Sequence, residues 1–126
     1  MNGVSVALIV AVAVFFLGMG IYGLVAPAAL IRPFGVVLDS PQSRSEVRAV
    51  YGGFGVAIAG VLVYAALHPE LRNGILLAVA VALAGMAAGR VISAIAGERT
   101  GFYPDWFYGL VELGLASALI LAMVTA

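Results

Sequence analysis

"GVSVALIVAVAVFFLGMGIYGLV", Gly3 to Val25, is an apolar run with no charged residue. At a rise of about 1.5 Å per residue, such a run makes a helix about 35 Å long. That is enough to cross the roughly 30 Å hydrocarbon core of a bilayer. Helix is preferred over strand because backbone N–H and C=O groups in lipid must be satisfied within the segment. No barrel-like alternation of apolar and polar residues is present. The run lacks a positive n-region and is longer than a signal-peptide core, so it reads as a retained span.

The same pattern recurs along the chain. Further apolar spans are expected over residues 45–67, 71–96 and 106–125. The predicted fold is all-α, an integral membrane four-helix bundle forming a single transmembrane domain over residues 1–126. The composition agrees: the chain is 64% hydrophobic and 10% charged, with a mean hydropathy of +1.18. Soluble domains carry about 25% charged residues. A chain this apolar cannot hide its side chains in one small aqueous core.

The composition also excludes chemistry. Six arginines balance six acids, and there is no lysine and no cysteine. Schiff-base lysines and thiol nucleophiles are therefore absent, as are disulfides and iron–sulfur ligands. One histidine cannot make the usual two-histidine zinc site. No basic stripe points to nucleic acid. No catalytic residue, metal or obligatory cofactor is predicted.

The connections differ in character. Residues 26–44 form a long, proline-broken loop with an apolar middle, expected in the interface or folded back over the bundle. "HPE", His68 to Glu70, is a tight turn, with His68 an exposed turn residue. Between the third and fourth spans, Tyr103, Trp106 and Tyr108 make an interfacial belt, and Asp105 after Pro104 reads as the N-cap of the fourth span. Loop arginines Arg32, Arg44 and Arg99 share one side, against Arg72 on the other. The positive-inside rule then places the first and third loops in the cytoplasm of a bacterial cell and both termini outside.

Small residues form ridges. Gly85, Gly89, Ser93 and Gly97 recur every four residues in the third span, and Gly114, Ala118 and Ala122 in the fourth. The second span carries Gly52, Gly53, Gly55 and Gly60. Such ridges let membrane helices approach closely. Packing within the bundle is the first expectation; contact with another copy or a partner subunit is the second. "GMGIYG", Gly18 to Gly23, matches the dinucleotide fingerprint. That motif works only at a strand-to-helix turn, and here it lies inside a membrane helix.

The ionisable residues fall at related depths. With the second span entering near Ser45, Arg48 lies about 4–5 Å and Tyr51 about 9 Å below the surface. Arg90 lies about 10 Å below its exit and Glu112 about 9 Å below its entry on that same side. Glu46, Arg48, Tyr51, Arg90 and Glu112 are thus expected in one leaflet as a polar cluster, lidded by the first loop. Arg90 and Glu112 match best, as a two-pronged guanidinium–carboxylate pair. Other roles stay open. Ser43-x-x-Glu46 has the form of a capping box, Arg48 can snorkel to headgroups, and the Arg90–Glu112 pair can fix helix register, bind a polar group or move a proton. Tyr51 reads as a packed aromatic with its hydroxyl in the network.

"EVRAVYGG", "GRVISAIAGE" and "YGLVELGLA" resemble the family of small four-span bacterial membrane proteins catalogued as domain of unknown function 4345. The resemblance covers most of the chain. It implies a Glu-x-Arg-x-x-Tyr-Gly-Gly start to the second span, a Gly-Arg late in the third and a Glu in the fourth. Glu46, Arg48, Tyr51, Gly52, Gly53, Gly89, Arg90 and Glu112 match that pattern. A weaker likeness is to DoxX-like membrane proteins, some of which resemble subunits of quinone-linked oxidoreductases. The family implies no established activity.

Three functional readings remain at this level. The first is a small non-catalytic protein: an accessory or structural subunit of a larger membrane complex, or a binder of a lipid, quinone or pigment. Its expected partners are membrane lipids and either a membrane protein or further copies of itself. The second is an oligomeric proton-coupled transporter using Arg90 and Glu112. The third is an intramembrane enzyme acting on a lipid-like substrate.

Overall fold

The computed structural model describes residues 1–125. Helix α1 covers Gly3–Val25 and the short α2 covers Pro27–Ile31. Three further helices follow: α3 (Pro41–Leu67), α4 (Pro69–Ile95) and α5, whose regular part is Phe107–Thr125. Of these, α1, α3, α4 and the stretch Phe102–Thr125 that contains α5 are long and apolar enough to cross a membrane. The chain is an all-α integral membrane protein.

The long helices pack in a ring in the order α1, α3, α4, α5 and back to α1. Successive spans cross in opposite senses, so every neighbouring pair is antiparallel, while α3 and α5 are diagonal. Fully buried side chains from every long helix meet at the centre, among them Ile9 and Val12 of α1, Leu62 of α3, Leu76 of α4 and Leu119 of α5. The core is thin, with just 28% of each span's most apolar window buried. Most apolar side chains face lipid, where burying them would gain nothing.

Glycine carries the α1–α3 seam. A Cβ on Gly20 would lie 2.6 Å from the Val56 nitrogen, and one on Gly55 would lie 2.9 Å from the Gly20 Cα. A Cβ on Gly23 would lie 3.0 Å from the Gly52 nitrogen, and one on Gly52 would lie 2.7 Å from Leu24 Cδ2. The "GMGIYG" segment is therefore a backbone-to-backbone packing surface. Opposite it, α3 widens into a π-helical segment over Arg48–Gly53.

The other glycines do not pack this way. A Cβ on Gly85, Gly89 or Gly114 would meet nothing within 4 Å, and one on Gly53 would meet only its own helix, 3.8 Å from the Arg48 carbonyl. Ser93 is exposed. Packing within the bundle, the first expectation for Gly53, Gly85, Gly89, Ser93 and Gly114, does not occur; of the glycines expected to pack, Gly52 and Gly55 do. Four-residue spacing marks a smooth helix face without saying which way it turns.

Local signals reset two helix starts. Helix α3 begins at Pro41, capped by Ser40: the Ser43 backbone donates to Ser40 Oγ at 3.0 Å, and the Ser40 backbone donates to Ser43 Oγ at 3.2 Å. This replaces the expected Ser43–Glu46 box. Proline's fixed φ and missing N–H suit the first helical position. At the other helix start, Asp105 does not cap; its carboxylate is drawn to Arg90 and Thr100.

At the end that carries both termini, polar groups tie the bundle shut. Asn2 Nδ2 donates to the Thr125 carbonyl, and the hydroxyls of Ser5 and Thr125 lie 3.0 Å apart. His68 stacks on Tyr64 with ring centroids 3.7 Å apart. Arg72, read from sequence as a loop charge, is buried and donates to the carbonyls of Ala65 and Ala66 at 3.1 and 2.9 Å. Those carbonyls belong to the last turn of α3, where a cation meets unsatisfied acceptors and the negative end of the helix dipole.

Candidate functional site

The site lies in the opposite leaflet, between α4 and α5. Arg90 lies five residues before the end of α4, and its aliphatic stem passes over Gly109, whose Cβ, if present, would lie 3.4 Å from Arg90 Cδ. One turn further along α5, the Glu112 carboxylate receives Arg90 Nε at 2.9 Å and Nη2 at 2.8 Å. Nearer the surface, Arg90 Nη1 donates to Asp105 Oδ1 at 2.7 Å. Asp105, Gly109 and Glu112 stack along one face because helical side chains three and four apart are neighbours.

Burial grades across this triad. The Glu112 side chain is 6% exposed, Arg90 18% and Asp105 25%. Thr100 Oγ1 approaches the remaining Asp105 oxygen at 3.4 Å. A lone charge at such a site is costly. Here each is paired and hydrogen-bonded, which offsets that cost. Charges do not cancel when all three groups are ionised: one guanidinium faces two carboxylates.

The first loop closes over this arrangement. Helix α2 buries Pro27, Leu30 and Ile31, with Leu30 against the Gly23 region of α1. The following turn, Arg32–Phe34, brings the Phe34 ring centroid to 5.8 Å from Arg90 Cζ and 5.6 Å from the Tyr108 ring. A cation over an aromatic face is attracted by the ring quadrupole. Tyr103 and Phe107 extend the aromatic cover.

Residues expected in one cluster separate into two places. Arg90 and Glu112 meet, joined by Asp105. Arg48 turns instead to α1, where its Nε donates to the Leu24 carbonyl at 3.0 Å. Glu46 is exposed and Tyr51 is 42% exposed; among the described residues neither side chain forms an ion pair or hydrogen bond. A single five-residue cluster therefore does not form. Depth along a span was insufficient, because α3 lies diagonally across the ring from α5.

Asp105 and Gly109 are the participants that sequence reasoning missed. Both carried a signal: they sit seven and three residues before Glu112, on its own helical face. A family model described as Domain of unknown function (DUF4345) matches residues 4–123. The chain belongs to the DUF4345 family. The expected DUF4345 resemblance is thus shown, and the match does not extend to the DoxX-like likeness. No curated protein and no solved structure matches the chain.

Proposed function

We propose that this DUF4345 protein is a non-catalytic packing subunit of a larger membrane assembly, held in a bacterial cytoplasmic membrane with its first and third loops in the cytoplasm. The observation that carries the reading is the face of α4 bearing Gly85, Gly89 and Ser93. Among the described residues, nothing beyond the local backbone of α4 and the chain neighbours comes within 4 Å of a Cβ at either glycine. In lipid, such small-residue faces are where helices meet, because close backbone approach replaces the missing hydrophobic drive.

The polar interior supports the same reading. Arg90 has a partner on each nitrogen, and among the described residues no buried side-chain nitrogen or oxygen lacks a hydrogen bond. A self-satisfied network suits fixing the α4–α5 register better than turning over a substrate. For orientation, Arg32, Arg44 and Arg99 lie on one face, while Arg72 of the other face is buried against α3 carbonyls; this supports cytoplasmic loops.

The test is photo-crosslinking in the native membrane from a probe placed at Gly89, with Val14 as a lipid-facing control. The expected result is one discrete heavier product from position 89 and none from 14. Crosslinks to lipid alone from both positions would overturn the reading.

The excess carboxylate favours a second reading. Two carboxylates face one guanidinium, and ionisable groups within spans mark the paths of proton-coupled transporters. Flux that Glu112→Gln abolishes in a reconstituted, folded protein would favour it over the subunit.

A further inference from the structure

The outer seam between α4 and α5 holds two clefts at different depths. One, of about 410 Å³, opens at the membrane surface between Val91, Ala94 and Ile95 on one side and Trp106 on the other, with Arg99 and Thr100 at its rim. The second, of about 500 Å³, lies deeper and is lined by Ala80, Ala84, Leu113, Ser117 and Ile120 among others. On α4, residues 80, 84, 91 and 95 follow one helical face, as do 106, 113, 117 and 120 on α5. Both clefts therefore follow one seam. Small side chains at 80, 84, 116 and 117 make the deeper part hollow.

We propose that this seam seats one anionic glycerophospholipid, its phosphate at Arg99 and an acyl chain along the groove toward Ile120. Arg99 is exposed and, among the described residues, pairs with no carboxylate. The competing acids of that corner are Glu98, exposed and unpaired with Arg99, and Asp105, already engaged by Arg90 and Thr100. A cation beside an apolar cleft at the interface matches an anionic headgroup above a hydrocarbon chain. Trp106 sits at the mouth, where indole prefers the headgroup layer. Length agrees as well: Trp106 to Ile120 rises about 21 Å along α5, which spans the roughly 15 Å of one hydrocarbon leaflet with an interfacial margin.

This seat is distinct from the α4 glycine face, which lies roughly a third of a turn away around the helix. It stands whether or not that face is covered by a partner.

Native mass spectrometry tests it on the delipidated protein, re-equilibrated with equal amounts of phosphatidylglycerol and phosphatidylcholine of identical chains. Wild type should retain phosphatidylglycerol about fivefold over phosphatidylcholine, the preference one arginine confers near a surface. Arg99→Gln should bring the ratio close to one with unchanged melting. Ala84→Leu, or Ser117→Leu if that variant does not fold, should lower retention of both lipids while keeping the ratio. Equal retention by wild type, a preference that survives Arg99→Gln, or inorganic phosphate binding as well as the lipid would each overturn the proposal.

Discussion

Arg90 and Glu112, on neighbouring antiparallel helices, join through two near-parallel hydrogen bonds of 2.9 and 2.8 Å. The same guanidinium spends its third nitrogen on Asp105 at 2.7 Å. One cation thus ties the end of α4 to two successive levels of α5.

Removing the cation should cost more than removing either acid. Arg90→Met leaves Glu112 and Asp105 facing each other unpaired, and breaking a buried pair this way costs about 3–5 kcal/mol. Glu112→Leu leaves Arg90 with Asp105, so its cost should be smaller. The double variant Arg90→Met/Glu112→Leu should recover part of the Arg90→Met loss. Unfolding free energies in mild detergent with denaturing titration check the order; equal losses for both single variants would contradict it.

Glycine substitutions should change sign with position. Gly20→Ala pushes a methyl toward the Val56 nitrogen at 2.6 Å, where backbone cannot yield cheaply, and overpacking costs about 1–3 kcal/mol. Gly89→Ala meets nothing within 4 Å and gains about 0.5–1 kcal/mol of helix preference in the isolated chain. The same Gly89→Ala should weaken assembly, because it roughens the exposed face. Melting of the purified monomer and recovery of the assembly separate the two effects.

Arg72 and Arg48 do similar work at opposite ends, with different weight. Arg72→Met should lose about 1–3 kcal/mol, since the Ala65 and Ala66 carbonyls would lose a buried donor. Arg48→Met should lose less, because the Leu24 carbonyl it serves is at an exposed contact. A larger loss for Arg48→Met in unfolding measurements would refute this ranking.

The loop that covers the triad should couple to it energetically. A double-mutant cycle between Phe34→Leu and Arg90→Met should give about 0.5–1 kcal/mol, the range for a partly exposed cation–π contact. A coupling of zero would mean that the Phe34 ring merely lies nearby.

What was legible in the sequence follows from which quantities are local. Span length and apolarity are local, so α1 ends where residues 3–25 ended, and the other helices shift by a few residues at their starts. Depth is also nearly local, which paired Arg90 with Glu112. Ring order is not: nothing in the spacing says that α3 faces α1 and α4 but lies diagonal to α5, so Arg48 was expected at the triad and instead serves Leu24. Asp105 was hidden by a competing signal, since Pro-Asp before a helix is also the pattern of a cap. The Gly20 contact is hidden in the same way, behind the louder ridges at 85–97 and 114–122, whereas its partner Gly55 stands openly among the small residues of the second span.

The central claim is that the glycine face of α4 is covered by another polypeptide. Native mass spectrometry of the protein released gently from its own membrane tests it most directly. The account predicts a particle carrying extra polypeptide mass in fixed ratio, lost in Gly85→Leu/Gly89→Leu while the chain stays folded. A bare monomer from wild-type membranes, with or without bound lipid, would contradict it.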